Sequence, residues 1–106
     1  MIKQSFALAA VAAVAAVAAQ PAAAQSRDQI RVVGSSTVFP YSQAAAEEFG
    51  TTSEFPAPVV ESTGTGGGMK IFCQGIGVAH PDVTGASRAM KKEEWELCQS
   101  NGVDNI

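Results

Sequence analysis

The sequence predicts an α/β fold, built from β-loop-α repeats around a mainly parallel sheet. Three observations point there. Short runs of strand-forming residues recur at 30–33, 59–62 and 82–86. A loop rich in Gly, Ser and Thr accompanies each, at 34–38, 63–68 and 84–88. Each loop then leads into a stretch of helical composition. Strands alternating with helices at this spacing argue a parallel sheet with helices packed on it.

The first strand is Ile30-Arg31-Val32-Val33. Pro40 opens an Ala-rich helix over 41–49, because proline fits a first helical turn, and Gly50 is its expected stop. Pro56 and Pro58 mark a connection to the second strand, Val59-Val60-Glu61-Ser62. Met69, Phe72, Cys73 and Ile76 then fall at i, i+3, i+4 and i+7, one face of a second helix that Gly75 and Gly77 end. Asp82-Val83-Thr84-Gly85-Ala86 is the third strand. The third helix covers 91–99, with Trp95 and Cys98 on its core face and Gly102 as its stop. Glu93, Glu94 and Glu96 with Lys91 and Lys92 read as the solvated face of that helix.

With 106 residues the chain holds at most one domain. Lys3, the 14 apolar residues Phe6 to Ala19, the break at Gln20-Pro21 and the small residues Ala22-Ala23-Ala24 follow the order of a secretory signal peptide. A membrane span needs about 20 apolar residues, more than this run offers. Cleavage is expected after Ala24, and Gln25 rather than a lipid-bearing Cys then leads the mature chain. The division is thus a signal peptide over 1–24 and a domain segment over 25–106. Export puts Cys73 and Cys98 in an oxidising compartment, where a disulfide persists. A metal site is not expected, since His80 and the two cysteines are too few ligands and no C-x-x-C spacing exists.

Lys and Arg number 7 against 10 Asp and Glu, a net charge of −3. No basic stripe is available, so nucleic acid and anionic membrane surfaces are poor partners. The glycines are more telling: all 10 fall after residue 24, well above the usual share of about 7%.

In a parallel α/β sheet the ligand crevice lies beyond the carboxyl ends of the strands. The three polar loops all sit at that edge. Each precedes a helix, so each presents free backbone N–H groups at a positive dipole end. Donor-rich loops facing one crevice suit an anion. Gly34-Ser35-Ser36-Thr37 offers three hydroxyls where a simple helix cap needs one. Thr63-Gly64-Thr65-Gly66-Gly67-Gly68 lets the backbone approach a ligand closely. It matches neither G-x-x-x-x-G-K-[ST] nor G-x-G-x-x-G, which favours a small anion over a nucleotide. Ser87-Arg88 adds a guanidinium suited to bidentate oxyanion contact. His80 reads as a loop residue. Gly34-Ser35-Ser36-Thr37-Val38 does not fit the G-x-S-x-G elbow, which weighs against a serine hydrolase.

Three motifs in order carry a family resemblance. Gly34-Ser35-Ser36-Thr37-Val38-Phe39-Pro40, then Glu61 to Lys70, then Asp82-Val83-Thr84-Gly85-Ala86-Ser87-Arg88, resemble the periplasmic phosphate-binding protein of the Pst-type ABC transporter. The resemblance implies a two-lobed, hinged periplasmic-binding-protein fold of type II, of which this chain is the N-terminal part of the first lobe. It implies no enzyme activity and no cofactor, with inorganic phosphate as ligand and an inner-membrane ABC permease as partner. The implied ligand residues are Ser36, Thr37 and Val38, then Thr63, Thr65 and Gly66, then Ser87 and Arg88. The family commonly carries an Asp in the third loop to accept a phosphate proton. Arg88 stands there instead, so an acceptor is expected elsewhere, at Glu61, Asp82 or outside this chain. An oxyanion-sensing or adhesive module without transport is the alternative role.

Overall fold

The computed structural model describes residues 27–104 and Ile106, and the expected signal peptide lies outside these described residues. The elements are β1 (Arg31–Gly34), α1 (Phe39–Thr52), β2 (Val59–Ser62), α2 (Thr65–Phe72), β3 (Val83–Gly85) and α3 (Lys92–Ser100). The strands form one sheet in the order β2-β1-β3, and both pairings are parallel. Gly34 pairs with Ser62 on one side and Gly85 on the other, so all three strands end level at one edge.

The chain steps from β1 to β2 in one direction and from β2 past β1 to β3 in the other. Right-handed crossovers then put α1 and α2 on opposite faces of the sheet. α1 packs on β2, while α2 packs on β1 and β3 and touches α3. Val33 on the central strand, Ala46 on α1 and Met69 on α2 are buried. A second cluster joins Cys73, Cys98 and Val103, with Phe72, Met90 and Leu97 against it. The Cys73 and Cys98 sulfurs lie at disulfide-bonding distance, with their Cα atoms 4.1 Å apart. This link ties the end of α2 to α3.

Several expected boundaries move. The first helix runs through Gly50 to Thr52 and ends where Ser53 turns extended. Gly50 serves the return of the chain rather than the end of the helix, because a Cβ there would lie 2.7 Å from the Ala57 Cβ. Helix α2 begins at Thr65, so Gly66, Gly67 and Gly68 form its first turn rather than a loop. Gly68 is buried where a Cβ would overlap Gly34 Cα and come within 2.8 Å of Gly34 N and Thr84 Oγ1. The helix stops at Phe72, and Ile76 lies beyond it at 71% exposure instead of on the buried face. Trp95 is 50% exposed rather than core, while Cys98 on the same helix is buried. The third strand is shorter than expected, Val83–Gly85. Gly102, at φ +75°, does follow the end of α3.

Candidate anion-binding site

The order β2-β1-β3 makes the gap between β1 and β3 a switch point: the chain leaves their carboxyl ends towards different faces. Crevices at such points are where open α/β sheets hold ligands. Gly34 anchors the edge. Its backbone adopts φ +125°, and a Cβ on it would overlap the Gly85 carbonyl oxygen. Its own carbonyl accepts the Thr63 N–H at 3.0 Å, and the next amide, Ser35 N–H, donates to Gly85 O at 2.9 Å. The three strand-terminal segments are therefore bonded to one another at their roots.

In the first segment Ser35 is 4% exposed and acts as a bracket. Its hydroxyl accepts the Val38 N–H at 3.2 Å and its carbonyl accepts the Phe39 N–H at 3.0 Å. This turns the chain into α1, where Pro40 needs no N–H partner. The Val38 amide is thus engaged within the segment. The Ser36 and Thr37 amides find no acceptor among the described residues, and both residues are exposed. Ser36 Oγ accepts a hydrogen bond from Ser62 Oγ at 3.0 Å, which links the first segment to the end of β2.

The second segment turns at Gly64, with φ +80°, and enters α2 without a side-chain cap. The first intrahelical donor is Gly68 N–H, to Gly64 O at 2.9 Å. The Thr65, Gly66 and Gly67 amides precede it and have no helical acceptor. Thr65 Oγ1 accepts the Ser87 N–H at 3.1 Å and pairs with Ser87 Oγ at 3.1 Å, which fastens the second segment to the third. Thr63 instead turns its hydroxyl onto backbone, towards Gly64 O at 3.1 Å and Gly34 O at 3.4 Å.

In the third segment Arg88 reaches Gly66, where a Cβ would lie 3.3 Å from Arg88 Nη2. The guanidinium grips Glu94 with two parallel bonds, Nη1 to Oε1 at 2.7 Å and Nη2 to Oε2 at 2.9 Å. The Glu94 Oε1 also accepts the Lys91 N–H at 2.8 Å. The bonds from Arg88 first, then that from Lys91, hold the Glu94 carboxyl at a pKa of about 2. The same pairing raises that of Arg88. Glu94 is thus a partner of the site and not part of a purely solvated face.

The structure brings Ser36, Thr65, Gly66, Ser87 and Arg88 to one edge, linked directly or through neighbours. It commits the Val38 amide to the Ser35 hydroxyl and the Thr63 hydroxyl to the Gly64 and Gly34 carbonyls. The two carboxylates weighed as proton acceptors are occupied elsewhere. Asp82 sits at the opposite, amino edge of the sheet, taking the Arg31 N–H at 2.9 Å and Arg27 at 2.6 Å. Burial raises its pKa, but these donors outweigh it and the net shift is down. Glu61 faces Arg31 at 3.5 Å. Sequence reasoning missed Ser62 and the role of Glu94. The register Gly34 to Ser62 could have flagged the first; a Glu three residues after a helix start could have flagged the second.

A cavity of about 530 Å³ opens at the amino edge, lined by Ile30, Phe72, Ile76, Val78 and Val103 among others. Its cation, Arg27, is already used by Asp82 and by the Gln29, Val78 and His80 carbonyls, so it offers little to an anion. Among the described residues no group of three or more His, Cys, Asp or Glu side chains could hold a metal ion. No described helix is long and apolar enough to cross a membrane.

The chain is similar to known proteins. The chain is 46% identical over 87 residues to Protein SphX of Synechococcus elongatus, covering 82% of this chain and 24% of that protein. It is 39% identical over 79 residues to Protein SphX of Synechocystis sp., covering 74% and 22%. The chain thus spans about a quarter of the length of the curated relatives it matches. It is also similar to a crystal structure of a possible phosphate binding protein from Planctomyces limnophilus. The TM-score is 0.61 at 46% identity, over 70% of this chain and 25% of that one. A family model described as PBP superfamily domain matches residues 19–106. With that match over most of its length, and with its loops gathered at the carboxyl edge of a 2-1-3 parallel sheet, the chain belongs to the PBP superfamily.

Proposed function

We propose that this chain is the N-terminal part of the first lobe of an exported solute-binding protein that holds inorganic phosphate in the periplasm for an ABC permease. Residues 1–24 are its signal peptide, cleaved after Ala24. The mechanism is binding without chemistry. Neutral hydroxyls and amides, with one guanidinium, replace the water shell of a dianion, and a second lobe closes over it. The ligand residues proposed are Ser36, Thr37, Thr65, Gly66, Ser87 and Arg88, with Val38 and Thr63, also expected from the sequence, shaping their segments through the bonds described above.

The observation that carries the reading is the cross-linking of Thr65 to Ser87 at 3.1 Å beside the open first turn of α2. It assembles donors from two separate strand ends around one helix N-terminus. The matched protein described as a possible phosphate binding protein supports the choice of phosphate. Calorimetric titration of the full-length protein with phosphate, sulfate and arsenate tests it. Saturable phosphate binding with weaker sulfate binding is expected, and failure to bind phosphate overturns the assignment. A segment of residues 25–106 alone is expected to bind weakly or not at all. Micromolar affinity in that segment would overturn the need for a second lobe.

A further inference from the structure

We propose that Glu94 is a positioning residue of this site: it aims Arg88 at the first turn of α2, so that phosphate affinity depends on a carboxylate that does not itself touch the ligand. The inference rests on the phosphate-binding reading above.

Arginine has five N–H donors in a fixed fork. In Arg88, Nη1 donates to Ala89 O at 3.0 Å and to Glu94 Oε1 at 2.7 Å, and Nη2 donates to Glu94 Oε2 at 2.9 Å. One Nη2 hydrogen and the Nε hydrogen remain. Nη2 lies against Gly66, in the turn whose amides have no helical acceptor. Glu94 therefore fixes the plane and the direction of the donors left for an anion. Glu94 is itself held. Lys91 N–H binds its Oε1 at 2.8 Å, and its side chain is 16% exposed against 34% for Arg88. It stands on α3, which the Cys73–Cys98 link ties to the end of α2. The helix that offers the amides is thus joined through α3 to the carboxylate that orients the guanidinium.

The rival view is a salt bridge that only fixes the 86–91 segment. A double-mutant cycle on phosphate affinity of the full-length protein separates the two. Glu94→Gln keeps an acceptor for Lys91 N–H and removes the charge-assisted fork. It is expected to weaken phosphate binding about tenfold, as loss of order in a hydrogen bond to a charged group would. In the Arg88→Gln background the same change is expected to move affinity less than about twofold, because the residue it acts through is gone. Equal losses in both backgrounds, or none with Arg88 present, overturn the proposal. Absent phosphate binding by the unmodified protein sinks the underlying reading instead. Should Glu94→Gln not fold, Arg88→Lys carries the test. It keeps the charge without the fork and is expected to lose about tenfold; unchanged affinity overturns the positioning role.

Discussion

Gly68 on α2 seats directly on Gly34 at the end of β1, with no room for a methyl group between them: a Cβ on Gly68 would lie 2.8 Å from the Gly34 amide nitrogen. This contact brings the amino end of α2 down onto the sheet edge. Gly68→Ala is expected to destabilise the fold by about 1–3 kcal/mol, the usual cost of overpacking. Urea unfolding checks this, and an unchanged midpoint would show that α2 can lift without cost.

Gly50→Ala gives a second, less intuitive outcome. Alanine is the better helix former by about 1 kcal/mol. Its methyl would nonetheless press on Ala57 Cβ at 2.7 Å and Ala57 Cα at 3.1 Å, both close to fixed backbone. Net destabilisation is expected by thermal melting, whereas a helix stop at Gly50 would have predicted a gain or no change.

The Cys73–Cys98 link closes a separation of 25 residues. Chain-entropy reasoning assigns such a loop about 3 kcal/mol. The paired Cys73→Ser and Cys98→Ser variant is expected to lose about that much stability. Equal denaturant midpoints for the variant and the oxidised protein would contradict the link.

Acid should act through Glu94. Its carboxyl sits at about 2 in the fold against an ordinary 4.5, so its ionised form is favoured by folding. A lowered folded pKa contributes stability that is complete above the unfolded value and is lost as pH falls through the folded one. The window therefore runs from about pH 4.5 down to about 2. Unfolding curves at stepped pH are expected to show a steeper loss there for the native chain than for Arg88→Gln, which lacks the partner. Asp82, also lowered, contributes in the same direction in both proteins.

Thr65→Val removes the hydroxyl that meets both the amide and the hydroxyl of Ser87 while keeping the shape. Phosphate affinity is expected to fall about tenfold or more. Thr63→Val, whose hydroxyl is spent on backbone, is expected to change affinity less. The reverse order would place the ligand on the other side of Gly64.

The alternation of elements was legible because Val32-Val33, Val59-Val60 and the Ala-rich 44–46 run carry local preferences that agree with the fold. The sheet edge that gathers the polar loops followed from topology alone. What escaped was set by long-range contact. Glycine is a weak helix former, so nothing local marks 66–68 as the first turn of α2; the need for a bare backbone at Gly68 arises from Gly34, 34 residues earlier. Gly50 looked like punctuation because Ala57 was not yet beside it. Glu94 looked solvated because its partner, Arg88, precedes the helix and lies outside any i, i+4 pattern.

The placement of Gly34, bonded through its carbonyl to Thr63 and flanked by the Ser35 to Gly85 bond, has a mechanical consequence. The first bend is bonded to both of the others at its root, through Gly34 to Thr63 and through Ser35 to Gly85. Any opening or shutting at this edge is therefore expected to carry the three bends together rather than one at a time.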